Sequence, residues 1–172
     1  EYHLDKKRIA AWGSSAGAHL AALVGTSVHV RELEDLQMGY ADESCEVQAV
    51  VAWYGPAESF LLMDEELIGS GKGVPDHSGA MSPESLLLGR KITEIPDLVK
   101  TASPMTHITR EVPYFLIQHG SMDPVVPVEQ SIHFAAELER IAGKGRVILE
   151  ILEGAGHADP AFETEKNVNR VF

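Results

Sequence analysis

Apolar residues gather in four short runs along this chain, with helical periodicity between them. Arg8-Ile9-Ala10-Ala11-Trp12 is the first run and predicts a buried strand. Val47-Gln48-Ala49-Val50-Val51-Ala52-Trp53-Tyr54 is mostly apolar, as a strand covered on both faces should be, and Gly55-Pro56 stops it. Pro113-Tyr114-Phe115-Leu116-Ile117-Gln118-His119 predicts a third strand, ended by Gly120, and Arg146 to Leu152 a fourth. Ser15 to about Thr26 predicts a helix whose Ala16, Ala18, Ala21 and Ala22 allow close packing on a sheet. From Val128 to Ile141 the residues Ile132, Ala135, Ala136, Leu138 and Ile141 recur at helical spacing, with Gly143 as cap. A last helix is expected from Pro160 to Phe172.

Residues 57–111 differ in kind. Short apolar pieces, Phe60-Leu61-Leu62-Met63 and Leu86-Leu87-Leu88, stand between Gly, Pro and Ser, which predicts an excursion with short helices. Gly69-Ser70-Gly71-Lys72-Gly73 is expected to be mobile, and His29 to Glu46 to be a helix end and an acidic loop. The order β-α-β-excursion-β-α-β-α implies an α/β fold: a parallel sheet of about four strands, flanked by helices on both faces. Such sheets place their sites at the carboxyl ends of the strands.

Composition narrows the functional classes. The 172 residues suit a single domain, and 44% hydrophobic content fits a globular core. A formal net charge of −12 without a Lys/Arg cluster argues against nucleic acid and against anionic membranes. No run approaches the ~20 apolar residues of a membrane helix, and the start has no signal-peptide core. The single cysteine, Cys45, excludes an internal disulfide and is compatible with a reducing compartment, so a cytoplasmic location is expected. Both ends look cut, and the chain reads as a piece of a longer protein.

The chemistry concentrates at Gly13-Ser14-Ser15-Ala16-Gly17, a G-x-S-x-G pattern between the first strand and the first helix. A serine hydroxyl is a weak nucleophile until a base takes its proton. A sharp strand-to-helix turn lifts Ser15 to where a base can reach it, beside helix N–H groups that favour negative charge. Gly13 and Gly17 are expected to relieve crowding in that turn. Asp123 follows the third strand, in His119-Gly120-Ser121-Met122-Asp123-Pro124, and His157 follows the fourth, in Gly154-Ala155-Gly156-His157. The segment between them holds one helix and one strand, so both return to the same sheet edge. Serine, then acid, then histidine is the chain order of α/β-hydrolases.

The other polar residues weigh less. His119 is expected in a core or hydrogen-bonding role, His19 to order a nearby loop, and His107 to lie near the site. His3, His29, His77 and His133 show no pairing in the sequence, and no H-x-x-x-H, C-x-x-C or carboxylate cluster suggests a metal. Asp159 before Pro160 reads as a helix N-cap.

With these residues in place, the chain resembles the C-terminal two-thirds of an α/β-hydrolase carboxylesterase. It looks most like the acetyl-esterase and feruloyl-esterase-like enzymes related to the hormone-sensitive lipase group. Besides the Ser15, Asp123 and His157 segments, Pro83-Glu84-Ser85-Leu86-Leu87-Leu88-Gly89 and Ala102-Ser103-Pro104-Met105-Thr106 carry the resemblance. It implies one partial hydrolase domain over residues 1–172, with a cap-like excursion at about 57–111. It assigns Ser15 as nucleophile, Asp123 as acid partner and His157 as base, acting on small carboxylic esters with no cofactor and no metal. The family's H-G-G segment, which completes the oxyanion hole, lies upstream of the nucleophile strand and outside this chain. That leaves the Ala16 backbone N–H as the donor here. The first-strand edge is therefore expected either to pair with that missing N-terminal segment or to support a homo-oligomer. Two other functions are compatible with the sequence: a serine peptidase of the prolyl-oligopeptidase type, which usually carries an aromatic where this chain has Ala16, and a non-catalytic truncated hydrolase domain.

Overall fold

A computed structural model describes residues 4–172, so His3 lies outside the described residues. Four strands form one parallel sheet in the order β1-β2-β3-β4: Ala10–Ser14, Ala49–Trp53, Tyr114–Gly120 and Val147–Leu152. The first begins and ends two residues later than the apolar run predicts. Ser14 pairs with Trp53 at its end, and the helix begins only after Ser15. Helix α1 (Ala16–Thr26) links β1 to β2, and α5 (Val128–Ala142) links β3 to β4.

Period-two alternation sorts the strand residues between two cores. Val50, Ala52, Phe115, Ile117 and Val147 face Ala18, Ala21 and Ala22 of α1 and Phe134, Ala135 and Leu138 of α5. Both long helices therefore cover one face, as a sheet in sequential order with crossovers of one hand requires. Val51, Trp53 and Leu116 point the other way, onto Phe162, Val168 and Val171. That face is covered by the C-terminal segment, which is not the single helix expected. Asp159 caps a turn at Pro160–Glu163, and Thr164 caps a separate short α6 at Glu165–Val168. Each cap accepts a backbone N–H that a continuous helix would have used.

The excursion folds as short helices α2 (Met63–Ser70), α3 (Pro83–Leu87) and α4 (Pro96–Ala102) around Phe60, Met63, Ile92, Val99 and Ala102. The glycine-rich stretch expected to be mobile is held in place. Gly69 and Ser70 complete α2, Gly71 caps it with φ 66°, and Gly73 abuts the Pro124 carbonyl, where a Cβ would meet the oxygen at 2.2 Å. No helix among the described residues is long and apolar enough to cross a membrane.

A buried amide ties the excursion to α5. Gln130 Oε1 accepts the N–H groups of Glu58 (3.0 Å) and Ser59 (3.2 Å), and its Nε2 donates to Glu66 Oε2 (2.8 Å). Glu66, Glu58 and His133 converge there, with His133 Nδ1 at 2.6 Å from Glu58 Oε2. His133 is thus paired, contrary to the sequence reading, and a carboxylate–histidine cluster exists that no spacing revealed. Burial, reinforced by the Glu58 charge, pushes the Glu66 carboxyl up to about 7. The folded chain therefore binds this proton more tightly than the unfolded one. The associated stability is fully present below about pH 4.5 and is lost as pH rises through about 7. Glu66→Gln stays neutral and keeps the Gln130 bond. Its unfolding free energy, read from urea titration, is expected to exceed the wild-type value at about pH 8, by about 1 kcal/mol after allowing for solvent screening, and to match it near pH 4.5.

Candidate active site

The turn after β1 is built as the glycine pattern requires. Ser15 has φ 52° and ψ −121°, a backbone conformation that L residues rarely adopt. Its N–H donates to Trp53 O at 2.9 Å, and its carbonyl accepts the N–H groups of Ala18 and His19 at 3.0 and 3.1 Å. A Cβ on Gly13 would lie 2.2 Å from Gly17 O, so only glycine fits there. Gly17 itself meets no such crowding, contrary to expectation. Close approach against this turn also falls at Gly55, after β2, where a Cβ would lie 2.9 Å from Ser15 O.

Three strand ends bring Ser15, His157 and Asp123 together. Ser15 Oγ–H donates to His157 Nε2 at 2.9 Å, and His157 Nδ1–H donates to Asp123 Oδ2 at 2.8 Å. The carboxylate is buried, and the imidazole is partly exposed. Asp123 Oδ1 accepts the Val125 and Val126 N–H groups at 2.8 and 2.9 Å. Burial raises the affinity of Asp123 for a proton, but the bonds from His119, His157 and Val125 outweigh it. They hold the carboxyl well below the usual carboxylate range.

The acid and histidine loops are locked to each other. A Cβ on Gly120 would lie 2.3 Å from Ala155 O, Met122 N–H donates to that same oxygen at 2.9 Å, and Gly154 N–H donates to Ser121 Oγ at 2.9 Å. Asp159 serves as the expected cap, accepting Ala161 N–H at 2.9 Å, and it also accepts Gly156 N–H at 3.3 Å beside the histidine.

Two side chains at the site escape a reading by motif. Tyr54, the residue after β2 with φ 43°, sets its ring edge-on to His157, centroids 4.9 Å apart. Its position at a strand's carboxyl end, next to the nucleophile strand, is the signal that points to it. His119 is fully buried behind Asp123. Its Nδ1 accepts Ser131 O–H at 2.6 Å, and its Nε2–H donates to Val126 O at 3.0 Å with Asp123 Oδ2 3.3 Å away. His19 orders the excursion by donating to Ala102 O at 2.8 Å. His107 donates to Thr101 O within the excursion and is not brought to Ser15. His29 lies 3.7 Å from Glu111, and His77 is paired with Glu84, so neither is unpaired as the sequence suggested.

Ala16 is the first residue of α1, so its N–H has no carbonyl in a preceding turn to accept it. The arrangement can move a proton from hydroxyl to imidazole while a buried carboxylate fixes the ring tautomer.

The BD-FAE family model matches residues 1–138, from ahead of β1 into α5. Esterase LipC of Mycobacterium tuberculosis is 34% identical over 154 residues, covering 89% of this chain and 35% of that protein. Esterase LipQ of the same organism is 35% identical over 160 residues, covering 92% and 34%. The chain thus spans about a third of the length of the curated relatives it matches. Among solved structures, a truncated carbohydrate esterase from gut microbiota superposes with TM-score 0.80 and 28% identity, covering 98% of this chain and 59% of that one. Thermogutta terrifontis esterase 2, phosphonylated by sarin, does so with TM-score 0.66 and 29% identity, covering 98% and 54%.

Proposed function

We propose, since this chain belongs to the BD-FAE family of α/β-hydrolases, that it carries the catalytic residues of a serine esterase acting on small carboxylic esters. The observation that carries this reading is the continuous relay from Ser15 Oγ through His157 to Asp123, at 2.9 and 2.8 Å. Ser15 Oγ attacks the ester carbonyl carbon as its proton passes to His157 Nε2. The oxyanion forms beside the Ala16 N–H at the positive end of α1. Collapse breaks the bond to the alkoxy group, which leaves as the alcohol by taking that proton from His157, and an acyl-serine remains. Water activated by the same imidazole then releases the acid.

Among the described residues β1 is an edge strand, and that edge is where a further strand, bringing a second oxyanion donor, would add. The esterase names of the relatives support ester over peptide hydrolysis, and the organophosphate adduct of one structural neighbour supports an activated nucleophile of the serine type. The test uses the natural protein that carries this chain. It is expected to hydrolyse p-nitrophenyl acetate and butyrate with an initial burst, and to take up one fluorophosphonate equivalent, located on the peptide containing Ser15. Label on another residue, with turnover intact, would contradict the assignment.

A further inference from the structure

The segment 72–77 of the excursion lies along the loop that carries Asp123 and engages its carbonyls on both sides of the acid. Lys72 Nζ donates to Ser121 O at 2.9 Å. Gly73 abuts Pro124 O. His77 Nε2–H donates to Val125 O at 2.9 Å, and His77 Nδ1 lies 2.9 Å from Glu84 Oε1. His77 and Glu84 are both buried. The His77 backbone is fixed in turn by Asp64 on α2, which accepts the N–H groups of His77 and Ser78 at 2.8 Å each.

Both His77 ring nitrogens thus face acceptors. A neutral imidazole has one N–H, so this geometry is satisfied when the ring carries two protons and Glu84 is ionised. The peptide that accepts from His77 matters. The Val125 carbonyl and the Val126 N–H belong to one planar unit, and that N–H donates to Asp123 Oδ1 at 2.9 Å. A cation on the carbonyl end polarises the unit and strengthens the bond at its N–H end. The Pro124 carbonyl, against which Gly73 packs, shares its peptide with the Val125 N–H, the other donor to Asp123 Oδ1.

We infer that His77, ion-paired with Glu84, is a positioning residue: it holds the 125–126 peptide so that the carboxylate of Asp123 stays aligned on His157. The excursion on this view buttresses the acid from behind. Its effect on turnover rests on the esterase reading above, whereas its effect on the Asp123–His157 bond does not.

The experiment is His77→Gln in the natural protein, with His133→Gln as a control for loss of a histidine elsewhere. Proton NMR follows the downfield resonance of the His157 Nδ1–H, and kinetics follow p-nitrophenyl acetate. The expected result is a broadened or lost resonance and a fall in kcat of about 10- to 100-fold at near-constant KM. The control is expected to leave both unchanged. A His77→Gln protein that is less stable but keeps the resonance and wild-type kcat overturns the inference and leaves His77 as a simple packing group. Should His77→Gln fail to fold, Glu84→Gln decides by the same two readouts, since it keeps the side-chain shape and removes the counter-charge. If the wild type shows no esterase turnover, the esterase reading fails and the resonance alone judges the clamp.

Discussion

Ser15→Ala is expected to lower kcat for short-chain esters by about 10⁴- to 10⁶-fold while leaving the fold intact. The nucleophile is then absent, and the remaining groups can only orient water and stabilise charge. Stability should change by about 0.5 kcal/mol or less. The Ser15 side chain is only partly buried, and its hydroxyl bonds to His157 rather than to any core group. Alanine keeps the Cβ, so the strain of φ 52° is the same in both proteins. Steady-state kinetics and a thermal melt on the same preparation check both halves. Turnover within tenfold of wild type would remove Ser15 from the mechanism. A large fall in melting temperature would instead mean that the elbow serine is structural.

Asp123→Asn is expected to cost about 10⁴-fold in kcat with little change in KM. The hydrogen-bond partners dictate how the amide sits. Oδ1 of Asp123 faces two backbone N–H donors, from Val125 and Val126, so the asparagine oxygen must take that side. Its NH₂ then faces His157 Nδ1 and His119 Nε2, where the wild-type carboxylate accepts. Two donors cannot share one bond, so His157 is driven to the tautomer that presents Nε2–H to Ser15. That ring cannot take the serine proton. The pH dependence of kcat separates this tautomer effect from simple misplacement. A variant with wild-type kcat would show that the carboxylate does not set the tautomer.

Much of this site could be read along the chain. The strands announced themselves as apolar runs closed by glycine or proline, and the nucleophile, acid and histidine segments each follow one of them. A parallel sheet sends all such segments to one edge, so a one-dimensional order predicts a three-dimensional gathering. Boundaries were less legible. β1 runs from Ala10 to Ser14 because pairing with Ala49–Trp53 sets its register, whereas apolarity alone begins at Arg8. The C-terminal helix broke in two because Asp159 and Thr164 each cap a short turn.

The sequence by itself determined the sheet, its chain order, the elbow and the identity of three candidate catalytic residues, because these rest on local periodicity and on residue types at short spacing. The tertiary structure alone decided which histidines support them. Tyr54 against His157, His77 on the acid loop and His133 among glutamates were silent or misread in the sequence, whereas His119, expected in a core or hydrogen-bonding role, is buried and hydrogen-bonded behind Asp123. Each owes its role to a partner on another element or loop, for His133 75 residues away. The protonation and orientation of an imidazole are set by the groups that face it in space, and no spacing along the chain encodes those.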